Sequence, residues 1–79
     1  MMRKVFVEVI VKYTKDGRKI PLKVIWEDGR KFSVDRVNDI RPAASLKVGG
    51  QGLRYQCRIE GKDTYLWLED GKWFVEGKN

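Results

Sequence analysis

Asp-Gly occurs three times, at Asp16-Gly17, Asp28-Gly29 and Asp70-Gly71, each time between runs in which apolar and polar residues alternate. Asp-Gly favours a tight hairpin because both central positions of a type I′ turn need φ above zero, which Gly adopts freely and Asp tolerates. A fourth turn is expected within Glu60-Gly61-Lys62-Asp63. The intervening runs are rich in Val, Ile, Tyr, Trp and Phe, and none carries an i, i+3, i+4, i+7 apolar stripe of helical length. The chain is therefore expected to be all-β. Five or six short antiparallel strands would form a mostly sequential meander, closing into a small barrel or rolled sheet of SH3-like or OB-like size. The 79 residues make one domain, 1–79, with a thin core better suited to a surface site than to a deep catalytic pocket.

Hairpin register tests this reading, because a slip of one residue moves every side chain to the other face. A two-residue turn at Asp16-Gly17 sets Val7 against Trp26, Val9 against Val24, Val11 against Leu22 and Tyr13 against Ile20. The opposite face then pairs Glu8 with Ile25, Ile10 with Lys23 and Lys12 with Pro21. At Asp28-Gly29 a two-residue turn places Trp26 against Lys31 and Val24 against Ser33, which mixes the faces. A three-residue loop, Glu27-Asp28-Gly29 with Gly29 left-handed, restores Val24 to Phe32 and Leu22 to Val34. Turning at Gly61-Lys62 sets Ile59 against Thr64, Cys57 against Leu66 and Tyr55 against Leu68. The outer face then pairs Arg58 with Tyr65, Gln56 with Trp67 and Arg54 with Glu69. The Asp70-Gly71 turn admits two registers, Leu68 against Trp73 or Trp67 against Trp73. Between Ser33 and Gly52, Val34, Val37 and Ile40 fit either one helical turn stopped by Pro42 or a bent strand, and Ala43 to Gly52 reads as a loop.

Charge narrows the function classes. Lys and Arg total 17 against 11 Asp and Glu, a formal +6, which suits nucleic acid, anionic lipid or an acidic protein, and also suits ordinary solubility. From Ile40 to Ile59 there is no acidic residue, while Arg41, Lys47, Arg54 and Arg58 all fall in that stretch. Within it, Lys47-Val48-Gly49-Gly50-Gln51-Gly52 could offer backbone N–H groups to an anion or be a plain flexible loop. The outer face of the Leu53–Glu69 hairpin combines Arg54, Gln56 and Arg58 with Tyr65 and Trp67. Guanidinium groups beside aromatic rings hold single-stranded nucleic acid by pairing phosphates and stacking bases. The same residues also suit a solvated face on which long stems cover the rings.

Other chemistry is poorly supported. The chain has no His, so no imidazole base or ligand, and no metal or cofactor is implied. Asp35 with Asp39, and Glu69 with Asp70, read as solvated turn or loop residues rather than an acid–base pair. Cys57 lies on the apolar face of its strand and reads as a small buried residue; as a lone cysteine it fits a reducing compartment. The apolar run after Met1-Met2-Arg3-Lys4 is broken by Glu8 and Lys12, so no membrane span is expected and a cytoplasmic setting is. Phe6 and Ile10 point away from the valine face of the first strand, with Ile25 beside them. They would either pack under the middle segment or mark a homodimer or partner surface.

The pattern from Trp26-Glu-Asp-Gly-Arg through Ala44-Ser-Leu-Lys-Val-Gly-Gly-Gln-Gly-Leu-Arg-Tyr to Trp73-Phe-Val-Glu76 resembles a family of short, basic, β-rich, uncharacterised proteins from Gram-positive bacteria. The resemblance covers most of the chain. It implies no activity and assigns no site residues. The expectation is a non-enzymatic binding module for nucleic acid, or alternatively a module that binds an acidic protein or a second copy of itself.

Overall fold

Two long strands, each shared between two neighbours, close the sheet on itself. The computed structural model describes residues 2–43 and 52–78. Its strands are β1 (Met2–Tyr13), β2 (Lys19–Ile25), β3 (Lys31–Pro42), β4 (Leu53–Ile59), β5 (Lys62–Glu69) and β6 (Lys72–Lys78). They form a closed barrel in chain order, antiparallel at every junction, with β1 returning to β6. β1 pairs with β6 from Met2 to Val7 and with β2 from Glu8 to Tyr13. β3 likewise pairs with β2 over Lys31–Ser33 and with β4 over Val34–Pro42. A strand that changes partner midway forms the corner of a barrel. Among the described residues no helix is long and apolar enough to cross a membrane.

The turns differ in kind, and that difference corrects two of the expected registers. At the first, Thr14 N donates to Arg18 O at 2.9 Å and Gly17 N to Thr14 O at 3.0 Å. This is a three-residue loop with Gly17 at φ 86°, not the two-residue turn. The pairs nearest the turn are consequently Val11↔Pro21, Lys12↔Ile20 and Tyr13↔Lys19 rather than those expected. A bulge at Leu22 then absorbs one residue, so Glu8↔Ile25, Val9↔Val24 and Ile10↔Lys23 stand as expected. Pro21 has no N–H to donate, and an irregular ladder beside it accommodates that loss. Val7 lies opposite Trp73 on β6 rather than Trp26.

The three-residue loop at Asp28-Gly29 is as expected, with Gly29 at φ 88° and Val24 opposite Phe32. The ladder stops at Lys23↔Ser33, so Leu22 has no pair with Val34. The β4–β5 turn is Glu60-Gly61, with φ 46° and 82°, not Gly61-Lys62. Every pair shifts by two: Ile59↔Lys62, Cys57↔Thr64, Tyr55↔Leu66 and Leu53↔Leu68. An even shift keeps each side chain on its expected face while changing its partner. Asp70-Gly71 is a two-residue turn, which selects Leu68↔Trp73 and Trp67↔Phe74.

The Val34–Ile40 segment is the bent strand, not a helical turn. Bulges lie between Val34 and Arg36 and between Val37 and Asp39. Each adds one residue, so the inward spacing becomes three and Val34, Val37 and Ile40 face Ile59, Cys57 and Tyr55. The interior packs Val24, Tyr55, Cys57, Leu66, Leu68 and Trp73, with the valines of β1 and β3 around them. Full burial of each large side chain contributes roughly 1.5–3 kcal/mol. Tyr55 is the polar member of this core: its hydroxyl donates to the Lys19 carbonyl at 2.8 Å, and its ring lies 5.0 Å from Trp73. Cys57 is fully buried, and burial pushes its thiol up to about 11.

Candidate functional site

Closure of the barrel turns the odd-numbered residues of β5 and the even-numbered residues of β4 outward, and the β3 bulges align Arg36, Asp39 and Arg41 with them. The registers then define a grid of three rows across β3, β4 and β5. Its rows are Arg41–Arg54–Trp67, Asp39–Gln56–Tyr65 and Arg36–Arg58–Asp63. From Arg54 to Arg58 the rows span about 13 Å along the strand. Two of the three β3–β4 pairs therefore set arginine directly opposite arginine. Like charges in that position are destabilising, with Cβ atoms only ~5 Å apart.

Local carboxylates meet part of this charge. Arg41 Nε lies 2.5 Å from Asp39 Oδ2, and Arg58 Nη1 lies 3.0 Å from Asp63 Oδ1. Both pairs are solvent-facing and contribute little stability. Arg54 instead places its guanidinium 4.5 Å from the centre of the Tyr65 ring, diagonally across the ladder. Among the described residues neither Arg36 nor Arg54 forms an ion pair. Tyr65 is 43% exposed, so one aromatic ring lies open beside a guanidinium group.

Trp67 does not belong to that open surface. It is only 4% exposed, and its indole stacks on Phe74 at 6.0 Å with the ring planes 5° apart. Phe6 meets Phe74 edge-on at 5.7 Å, and Lys4 Nζ sits 4.7 Å from the Phe74 ring centre while pairing with Glu69 at 2.8 Å. The expected platform is thus divided. Arg54, Gln56, Arg58 and Tyr65 stand together with Arg41, whereas Trp67 is a packing residue whose buried Nε1 has no hydrogen-bond partner among the described residues. Lys47 and its glycine-rich neighbours lie outside the described residues. Arg36 was missed by sequence reasoning, because the Val34–Ile40 spacing leaves a helical turn and a bent strand both open, and only the bulged strand sets Arg36 opposite Arg58. The threefold spacing of Val34, Val37 and Ile40 was the signal that could have placed it.

The remaining candidates are accounted for locally. Phe6 (57% exposed) and Ile10 (43%) face outward on β1, with Ile25 partly buried opposite Glu8. The barrel closes without covering Phe6 or Ile10. The carboxylates expected in turns are mostly on strands and engaged: Asp35 Oδ2 accepts from Gly61 N at 3.1 Å, Asp39 holds Arg41 and Glu69 holds Lys4. Ser33 N donates to Glu60 Oε2 at 3.2 Å, so Asp35 and Glu60 together fasten the first β3 bulge to the β4–β5 turn. That clasp fixes the Arg36–Arg58 row. Among the described residues no group of three or more Cys, Asp or Glu side chains is placed to hold a metal ion.

No family model, curated protein or solved structure matches the chain, so the functional reading rests on its own geometry.

Proposed function

We propose that the chain is a non-enzymatic binding module that holds single-stranded nucleic acid on the outer face of β3, β4 and β5. The observation that carries the reading is the doubled arginine pairing, Arg36 opposite Arg58 and Arg41 opposite Arg54. Such pairs work against the fold and are relieved when an anion bridges them. Arginine suits phosphate because its planar fork donates two parallel hydrogen bonds. Tyr65, exposed beside Arg54, offers a ring on which a base can stack. A cytoplasmic setting fits the lone buried thiol of Cys57.

The test is binding of a fluorescently labelled single strand at low salt, followed by anisotropy. The Arg54→Gln/Arg58→Gln double variant should lose at least about tenfold in affinity while keeping the wild-type circular dichroism spectrum. Wild-type protein that leaves the strand unbound at low salt would end the proposal. A second reading has its own observation: Phe6 and Ile10 on the outer face of β1, and Leu22 on β2, are each exposed, apolar surface that a protein partner or second copy could cover. Sedimentation of wild type against Phe6→Lys separates the two, since only the interface reading has a wild-type assembly that the variant dissolves.

A further inference from the structure

A pocket of about 540 Å³ opens at the end of the barrel marked by the Asp28-Gly29 and Glu60-Gly61 turns. Trp26, Phe32, Ile59 and Val75 supply its apolar lining, and its volume lies in the range of small-molecule sites. The pocket lies one residue beyond the last rung of the arginine grid, on the inner side of the barrel's end, since Ile59 packs inward where Arg58 points outward. Ile59 and Glu60, which help line it, directly follow Arg58, and the Arg36↔Arg58 pair is the next rung after Val34↔Ile59.

We infer that this pocket receives one unstacked base of the strand whose phosphates lie on Arg36 and Arg58; the inference rests on the nucleic-acid reading above. Its rim chemistry differs from that of the grid. Lys62 and Arg30 offer donors, whereas Glu60 and Glu76 offer acceptors. Two carboxylates repel a phosphate group, so the anionic backbone stays on the grid. A heteroaromatic ring carries both donors and acceptors on its edge and an apolar face, and it matches both the rim and the Trp26 and Phe32 lining. The Arg30 guanidinium lies 5.5 Å from the Phe32 ring centre and is tied to Asp28 at 2.7 Å, which holds that side of the entrance in place. A duplex delivers a base only at a cost of a few kcal/mol in unstacking and unpairing, so the site favours single strands.

The experiment compares two strands of equal length and charge, oligothymidylate and its fully abasic counterpart. The readout combines anisotropy with intrinsic tryptophan fluorescence. Trp67 and Trp73 are buried, so Trp26 is the tryptophan placed to report a base, and Trp26→Phe identifies its share of the signal. Oligothymidylate should quench Trp26 and bind about tenfold tighter than the abasic strand. Lys62→Glu, a change on the exposed rim, should narrow that difference while leaving the fold intact. Equal affinity for the two strands, with Trp26 unquenched, overturns the inference and leaves the phosphate reading standing. Failure of both strands to bind at low salt removes both.

Discussion

Replacing Arg36 with threonine should strengthen the fold and weaken binding at the same time. Arg36 faces Arg58 directly, and among the described residues it has no ion pair, whereas Arg58 is partly met by Asp63 at 3.0 Å. Opposed like charges on neighbouring strands destabilise by roughly 0.2–1 kcal/mol, and the Asp63 contact puts this pair at about 0.5 kcal/mol. Threonine suits a strand, so removing the charge introduces no new penalty. A gain of about 0.5 kcal/mol raises the melting temperature of a domain this size by roughly 2–4 °C. At about 1 M salt the screening length falls to ~3 Å, and most of the gain should disappear. The same substitution removes one phosphate contact, so the slope of log K against log salt should become shallower by about 0.7. Thermal unfolding at low and high salt, with anisotropy on the same samples, reads all three effects. An Arg36→Thr protein that melts below wild type at low salt, or keeps the full salt slope, would refute the reasoning.

Three further outcomes follow from the core and its borders. Burial pushes the Cys57 thiol up to about 11 from an ordinary 9.0, so between these values the unfolded chain gives up its proton and the folded chain keeps it. Stability is therefore fully present below pH 9 and falls by about 2–3 kcal/mol as pH rises through 11; in urea unfolding this part should vanish in Cys57→Ala. At Gly52 a Cβ would lie 2.8 Å from the Leu68 carbonyl oxygen and 2.5 Å from Glu69 Cγ. The carbonyl cannot move aside, so Gly52→Ala should lower stability by about 1–3 kcal/mol in the same assay. Trp67→Ala should lose about 3–5 kcal/mol, and Trp67→Phe, which keeps a ring against Phe74, much less. Equal melting temperatures for Trp67→Ala and wild type would show that the indole is not packed.

The sequence was most legible where turn chemistry and face pattern agreed. Gly29 and the alternation around Val24 and Phe32 led to the three-residue loop, and Cys57 was assigned correctly to the interior. Asp16-Gly17 favours a two-residue turn as a dipeptide, but Thr14 and Arg18 close a longer loop, and the Leu22 bulge repairs the register downstream. A bulge breaks strict two-residue alternation, so at Leu22 a single inserted residue leaves no mark, whereas the repeated bulges of β3 leave the threefold spacing of Val34, Val37 and Ile40. That spacing also fits a helical turn, which left β3 as one of two alternatives and Arg36 without a partner. The candidate site was legible as a face but not as a surface: the alternation of Arg54, Gln56, Arg58, Tyr65 and Trp67 put all five outward. That Trp67 is nonetheless buried against Phe74 depends on tertiary packing, which strand alternation does not report.

The most direct test of the arginine face is the affinity of wild-type protein for a single strand across a salt series. Four arginines, Arg36, Arg41, Arg54 and Arg58, stand on the grid. If each displaces one counterion, log K should fall against log salt with a slope of about −3, a loss of roughly 60-fold between 50 and 200 mM. A slope near zero, or no binding at the lowest salt, would contradict the claim that these paired arginines hold phosphate.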